Sequence, residues 1–278
     1  VLTRVVAPRA TVPVHSLIRA AVTNLDGEVG WERGLAYAPE SPGGYRAFAA
    51  CTDAEYDDEG TGPTPVVEYR PWDLQVIHPC HSTFGLDEVQ LDAELTRAMD
   101  TVESFAIARE LWQGDLTRAA ETAGDVDTAN LSLVGSDPTV LAAGAPQSPK
   151  AALGLLQAAA GRALRGQQVY VHAAPEVEPF LPDLTRDGNL LTTRRGNLVV
   201  SDAGYPNTAP GGADAADGVG WLYATGPVVV RRSPIERVGI GEGALDPATN
   251  TLDLRATRVV AATFDRAALF AVAVDLTA

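Results

Sequence analysis

One stretch of this chain restricts its fold more than any other. Between residues 86 and 113, apolar side chains return at Leu91, Leu95, Met99, Val102 and Ala106, at helical spacings of three and four. Phe105 and Leu111 widen the stripe. Asp87 and Glu88 fall in the first turn, where the helix dipole favours acids, and Gly114 follows Trp112-Gln113 as a left-handed stop. Such a helix runs roughly 40 Å at about 1.5 Å per residue. The usual globular helix has only about 11–12 residues.

Around that helix the chain reads as strands, turns and one shorter helix. Residues 1–25 are mixed and rich in small apolar side chains, and Pro8 and Pro13 break any long helix, which predicts an extended arm. Residues 27–82 predict a long two-stranded excursion. Trp31, Leu35, Tyr37, Tyr45 and Phe48 supply the outgoing strand residues. Val66, Val67, Tyr69, Trp72, Leu74, Val76 and Ile77 supply the return. Between them the acidic run from Asp53 to Glu59, closed by Gly60, Gly62 and Pro63, predicts a solvated tip. A two-stranded ribbon is marginal alone in water, so this one is expected to lie against something, such as another subunit.

Residues 115–147 are Gly-, Asp- and Ala-rich with weak periodicity. Ser148 as N-cap and Pro149 as first residue open a second helix over 149–165, with Leu153, Leu156, Ala160 and Leu164 on one face and Gly166 at its end. Strands are predicted over 169–171, 198–200, 221–225, 228–232, 257–263 and 269–274, with a short helix over 175–184. Turns fall at Asp187-Gly188, Gly204-Tyr205-Pro206 and Gly226-Pro227. Helices and strands are segregated more than alternating, so the class is α+β.

Charge and composition exclude several functions. The net charge is −15, with no run of Lys and Arg to override it, which argues against sequence-reading of nucleic acid. No apolar run reaches the ~18–20 residues of a membrane span. The start, Val1-Leu2-Thr3-Arg4, lacks the layout of a signal peptide, so a soluble protein folded in the host cytosol is expected. Val1 is read as following either removal of Met or cleavage of a preceding segment. Lys150 is the only lysine among 21 basic residues, an arginine bias that suggests a high-GC bacterial host. Two cysteines, Cys51 and Cys80, make no disulfide framework.

The sharpest chemical cluster is Cys51 with His78-Pro79-Cys80-His81, at the base of the ribbon. Two thiolates and two imidazoles would suit tetrahedral zinc. Against this, adjacent Cys80 and His81 project to opposite faces of a strand, and no C-x₂₋₄-C spacing occurs. Free thiols and surface imidazoles are the preferred reading. The acidic run lacks the ligand order of a calcium loop. Gly239-Ile240-Gly241-Glu242-Gly243 has neither nucleotide-loop spacing. His172, after an apolar strand, is read as a core or strand-end histidine. No nucleophile, base and orienter assemble, so no catalytic or cofactor-binding residue is assigned. The doublets Arg194-Arg195 and Arg231-Arg232 are read as salt-bridging to an acidic neighbouring subunit.

The order of these elements resembles the major capsid proteins of tailed phages, the Johnson fold, which encapsulins share. Arg70-Pro71-Trp72-Asp73-Leu74-Gln75-Val76-Ile77 looks like the returning strand of that family's ribbon. Residues 86–112, ending Glu110-Leu111-Trp112-Gln113-Gly114, look like its spine helix. Residues 149–184 look like the start of its axial domain, followed by Asp187-Gly188-Asn189-Leu190-Leu191 and Gly196-Asn197-Leu198-Val199-Val200. Residues 221–230 resemble its next strand pair, and 258–274 its closing strands.

The resemblance implies an N-terminal arm (1–25), an extended β-ribbon loop (26–82), a peripheral domain with the spine helix (83–147), an axial domain (148–245) and return strands to the peripheral domain (246–278). It implies a structural protein, not an enzyme, without cofactors. Copies would join as hexamers and pentamers of an icosahedral virion shell, assembled in the bacterial cytoplasm. Expected partners are the portal, a scaffold or protease, a cement protein, and packaged double-stranded DNA through non-specific contact, with no membrane. The ribbon has no lysine, which argues against the Lys–Asn crosslink of some members. An encapsulin-type cargo compartment is one alternative. A metal protein or enzyme using Cys51, His78, Cys80 and His81 is another.

Overall fold

The structure, a computed structural model, describes residues 16–23, 30–37, 43–48, 55–60, 66–80, 88–124, 129–238, 245–246 and 251–277. In chain order come α1 (Leu17–Ala20), β1 (Val22–Thr23), β2 (Leu35–Tyr37), β3 (Gly43–Phe48), β4 (Glu55–Gly60), β5 (Val67–Tyr69) and β6 (Trp72–Cys80). Next are α2 (Glu88–Gln113), α3 (Asp115–Ala123), β7 (Thr139–Val140) and α4 (Pro149–Ala163). Then β8 (Tyr170–Ala173), β9 (Thr185–Asp187), β10 (Leu190–Thr192), β11 (Leu198–Ser201) and β12 (Val219–Thr225) follow. The chain closes with β13 (Val229–Arg232), β14 (Glu236–Val238), β15 (Leu245–Asp246), β16 (Thr251–Thr263) and β17 (Phe270–Asp275).

Among the described residues two larger sheets form. In the first, β16 is the axis. β6 pairs along it from Trp72 opposite Val260 to Cys80 opposite Leu252, while β13 and β14 take its other edge. β1 adds in parallel to β13, so the end of the N-terminal segment is docked on its own chain. The second sheet has seven strands in the order β7-β17-β12-β8-β11-β10-β9. Its centre is near-continuously apolar. β8 and β11 are buried throughout, as expected of strands covered on both faces. α4 covers β17 and β12 with Leu153, Leu156, Ala160 and Leu164.

α2 lies over β16 and β6 and ends against the seven-stranded sheet. Its buried line is Leu95, Met99, Glu103 and Ile107, four apart, continuing to Leu111 and Trp112. Val102 and Phe105, expected in the stripe, are instead 39 % and 44 % exposed. The docking face is rotated because Glu103 occupies a buried station and is neutralised there. The loop after β11 comes so close to α2 that a Cβ on Gly204 would meet the Phe105 carbonyl oxygen and lie 2.9 Å from the Ala108 Cβ. Only glycine fits that approach.

Several expectations are corrected. The acidic run is not all loop: residues 55–60 are strand β4, paired with β3 in a register that sets Arg46 opposite Asp57. The connecting residues 49–54 lie outside the described residues, as do 239–244 with their glycines. The strand 72–80 does not pair within the ribbon but with β16, and β5 pairs β2 instead. β12 and β13 are not a pair. Gly226-Pro227 carries the chain from one sheet to the other. The closing runs likewise part, β16 in the first sheet and β17 in the second. Residues 175–184 hold a single 3₁₀ turn, Glu178–Phe180. Residues 115–123, read as featureless, form α3 after a kink at Gly114, whose φ is +69°.

Candidate functional site

Several buried polar groups lie where α2 meets the two sheets. At mid-helix, Glu103 is 3 % exposed and accepts from two arginines. Arg258 Nη1 donates to one carboxylate oxygen at 2.7 Å and Arg232 Nη1 to the other at 3.1 Å. The register explains the convergence. Arg232 stands opposite Val260, and Arg258 lies two residues before Val260, so both fall on one face of the sheet. Charge-assisted bonds to both oxygens make this buried carboxylate tolerable.

At the end of α2 the chemistry is neutral. Trp112 is fully buried between Tyr205 and Tyr223, with ring centroids 4.7 Å and 4.9 Å away. Its indole N–H donates to Thr208 Oγ1 at 2.8 Å, and the Tyr223 hydroxyl donates to the Thr208 carbonyl at 2.8 Å. Behind them His172 bridges Tyr205 Oη and Thr225 Oγ1, each at 2.9 Å. Thr225 gives its one proton to the Gly226 carbonyl at 2.7 Å. It therefore accepts from His172 Nε2–H, and Nδ1 accepts from the Tyr205 hydroxyl. Burial pushes the imidazole down to about 3, so it stays neutral. Burial, helped by the negative charge of Asp202, holds the Tyr205 hydroxyl well above its usual value, so it keeps the proton it donates.

Two further carboxylates tie segments together. Asp202, 1 % exposed, accepts from Leu17 N–H at 2.9 Å and Ser104 Oγ at 2.8 Å on one oxygen, and from Gly204 N–H at 3.0 Å on the other. It thereby joins α1, α2 and the β11 loop. Glu110 accepts from the Leu116 and Thr117 amides at 3.0 and 3.1 Å, capping α3 from the preceding helix. Burial sets its carboxyl above the usual range, opposed by these hydrogen bonds.

The residues singled out from sequence do not converge on this region. His78 and Cys80 lie on β6, opposite Leu254 and Leu252. Cys51 and His81 lie outside the described residues. Among the described residues no group of three or more His, Cys, Asp or Glu is arranged to hold a metal. His172 is a core histidine, as read, with no solvent exposure through which a substrate could reach it. Arg231 and Arg232 correct the expectation of an intersubunit pair: Arg232 is spent on Glu103, and Arg231, 5 % exposed, donates to Thr263 Oγ1 at 3.1 Å. Arg194 and Arg195 are exposed on the β10–β11 turn, and Lys150 is exposed at the start of α4. Glu103, Asp202 and Glu110 were missed. For Glu103 a signal existed: it stands four residues after Met99 and four before Ile107, on the line of Leu95. No described helix is long and apolar enough to cross a membrane.

No protein-family model matches the sequence, and no curated protein matches it either. Solved structures do. The SrpI encapsulin of Synechococcus elongatus PCC 7942 is similar over 100 % of this chain and 93 % of its own, at 13 % identity and a TM-score of 0.54. The capsid protein of an empty GTA particle is similar over 98 % of this chain and 94 % of its own, at 12 % identity and a TM-score of 0.56. A phage G chain, from a structure of its gp27 major capsid and gp26 decoration proteins, is similar over 98 % of this chain and 92 % of its own, at 12 % identity and a TM-score of 0.51. At such identities the likeness bears on fold alone, and the fold of this chain is the Johnson fold, that of phage major capsid proteins and encapsulins.

Proposed function

We propose that this chain is a shell-forming structural protein, the major capsid protein of a tailed bacteriophage. Copies join as hexamers and pentamers into an icosahedral head around double-stranded DNA. The observation that carries this reading is the end-to-end likeness to shell proteins, which leaves no sizeable part of the described fold over for another task. The buried carboxylates support it, since Glu103, Asp202 and Glu110 each link one element to another, and the only described histidine ring is sealed from solvent.

In this reading residues 1–25 are the arm, 26–82 the ribbon, 83–147 the peripheral domain, 148–245 the axial domain and 246–278 the return strands to the peripheral domain; across these bounds β13 and β14 join the sheet of β16, and β7 and β17 the seven-stranded sheet. The portal, a scaffold or protease, and a cement protein are partners during or after assembly. DNA is held by confinement, consistent with a net charge of −15. The likeness to the SrpI encapsulin supports a second reading, a cargo compartment.

Electron microscopy of the purified protein tests both. Icosahedral shells or capsomer rings are expected. Shells recovered from the native source with DNA inside support the phage head, and DNA-free shells holding protein cargo support the compartment. A monomer at every concentration would sink both.

A further inference from the structure

The seven-stranded sheet carries opposite charge at its two ends. β8 and β11 run in parallel, with Tyr170 opposite Leu198 and Ala173 opposite Ser201. The start of this pair is flanked by the last turn of α4, with Arg162 and Arg165, and by the β10–β11 turn, with Arg194 and Arg195. The finish of β8 leads into Glu176 and Glu178, and the β9–β10 turn places Asp187 at that same end. Asp217 and Asp275 join it, because Val219 pairs with Asp275 beyond the β8 partners of β12. The separation is not complete: Lys150 and Arg186 are cations towards the acidic end, and Asp183, just before β9, and the buried Asp265, beside Leu164, are acids at the basic end.

At the basic end there is a cleft of about 430 Å³ between α4 and the β10–β11 turn, walled by Gln157, Ala158, Gly161, Arg162, Arg195 and Asn197. Its floor is satisfied internally. The Asn197 amide donates to Gln157 Oε1 at 3.1 Å, and its carbonyl accepts from Val169 N–H at 3.2 Å. Arg162 and Arg195 are exposed, and no carboxylate among the described residues pairs with either. In a chain of net charge −15 this is where an outside carboxylate is attracted.

The acidic end offers the matching chemistry. After β8 the buried Val177 and Leu181 pin the 3₁₀ turn Glu178–Phe180. Phe180 projects from it, 44 % exposed, with Glu178 two residues before it and Glu176 exposed beyond. An aromatic anchor flanked by carboxylates fits a cleft with small side chains on its walls and two guanidiniums at its rim. Every copy has both parts, at opposite ends of one sheet. Such a contact is heterologous, and repeated with a closing rotation it yields a ring.

We propose that the cleft beside Arg162 and Arg195 is the socket for residues 176–180 of a second copy of this chain. This rests on the shell reading and adds to it a specific contact that joins copies.

Gly161 supplies a clean test. A Cβ built there meets nothing within 4 Å, so the side chain of Gly161→Leu starts into open space on the wall of the cleft. Within a helix it also replaces glycine by a better helix former. Sedimentation and electron microscopy would compare the wild type with Gly161→Leu, with Arg162→Glu/Arg195→Glu, and with Glu176→Arg/Glu178→Arg. Each variant is expected to keep the wild-type circular dichroism and melting temperature while losing at least tenfold of its assembled fraction. Mixing the two charge-reversed proteins is expected to restore assembly, in even-membered rings only, because unlike protomers must alternate. Wild-type assembly with all three variants unimpaired would overturn the socket and leave the shell reading intact. So would failure of the mixture to recover, or shells of normal yield that have lost only nucleic acid when the arginines are reversed. A wild type that stays monomeric overturns both together.

Discussion

The middle and the C-terminal end of α2 hold their sheets by opposite chemistry. At mid-helix, Glu103 grips β13 and β16 through two guanidiniums, an arrangement made of formal charge. At the C-terminal end, Trp112 sinks into the seven-stranded sheet among Tyr205, Tyr223 and Thr208, and every bond there is neutral. The charged joint costs desolvation and is repaired by geometry, so it specifies which strands face the helix more than it stabilises them. The neutral joint gains from buried apolar area and from leaving no polar atom unmatched. One helix thus carries a joint that selects and a joint that holds.

The largest expected effect falls on the holding joint. Trp112→Ala removes a fully buried indole and leaves Thr208 Oγ1 without its donor. A loss of about 3–5 kcal/mol in unfolding free energy is expected, read by urea denaturation of the unassembled subunit. Trp112→Phe is expected to recover more than half of it. A loss below about 1 kcal/mol for the alanine variant would mean that the neutral joint is not what anchors the helix.

The selecting joint comes next. Glu103→Ala takes the buried carboxylate away from two largely buried guanidiniums, at an expected cost of about 3 kcal/mol. Replacing all three partners, Glu103→Leu with Arg232→Met and Arg258→Met, is expected to return to within about 1 kcal/mol of the wild type. If the triple variant is as unstable as the single one, the charges themselves stabilise the joint and the contrast with Trp112 collapses.

How much of this was legible in sequence follows from separation along the chain. The long helix, Gly114 as its stop and the apolar face of α4 were readable, because helical periodicity and caps are local. The face of α2 was misread at Val102 and Phe105, because the stripe continues through Glu103. That side chain is apolar in effect only once Arg232, 129 residues away, has neutralised it. Strand existence at 198–200 and 228–232 was visible, but the sheet each joins was not. Gly226-Pro227 reads as a hairpin turn in sequence, whereas it is a crossing between sheets. Asp202 gave no signal at all, since its meaning depends on Leu17, 185 residues earlier. The arginine cleft was equally silent, because Arg162 and Arg195 form no motif. The resemblance survived all this because it rested on the order of elements rather than on any site.

The smallest effect is a slope, and it tests whether the holding joint is neutral as drawn. His172 has an ordinary value of 6.5 in the unfolded chain and about 3 when buried. Above pH 6.5 neither state binds the proton, and the contribution is complete. Between pH 6.5 and 3 the unfolded chain gains a proton that the folded chain refuses, so stability falls as pH falls, by at most about 1.4 kcal/mol per pH unit. His172→Gln removes that proton while leaving groups able to bond Tyr205 and Thr225. Urea unfolding at pH 7.5, 6, 5 and 4 is expected to show the wild type losing stability faster than the variant below pH 6, on top of whatever carboxylate titration both share. Parallel profiles would mean that the folded protein protonates His172 as readily as the unfolded chain does. Tyr205 could then no longer be the donor to Nδ1, and the end of α2 would be a charged joint like its middle.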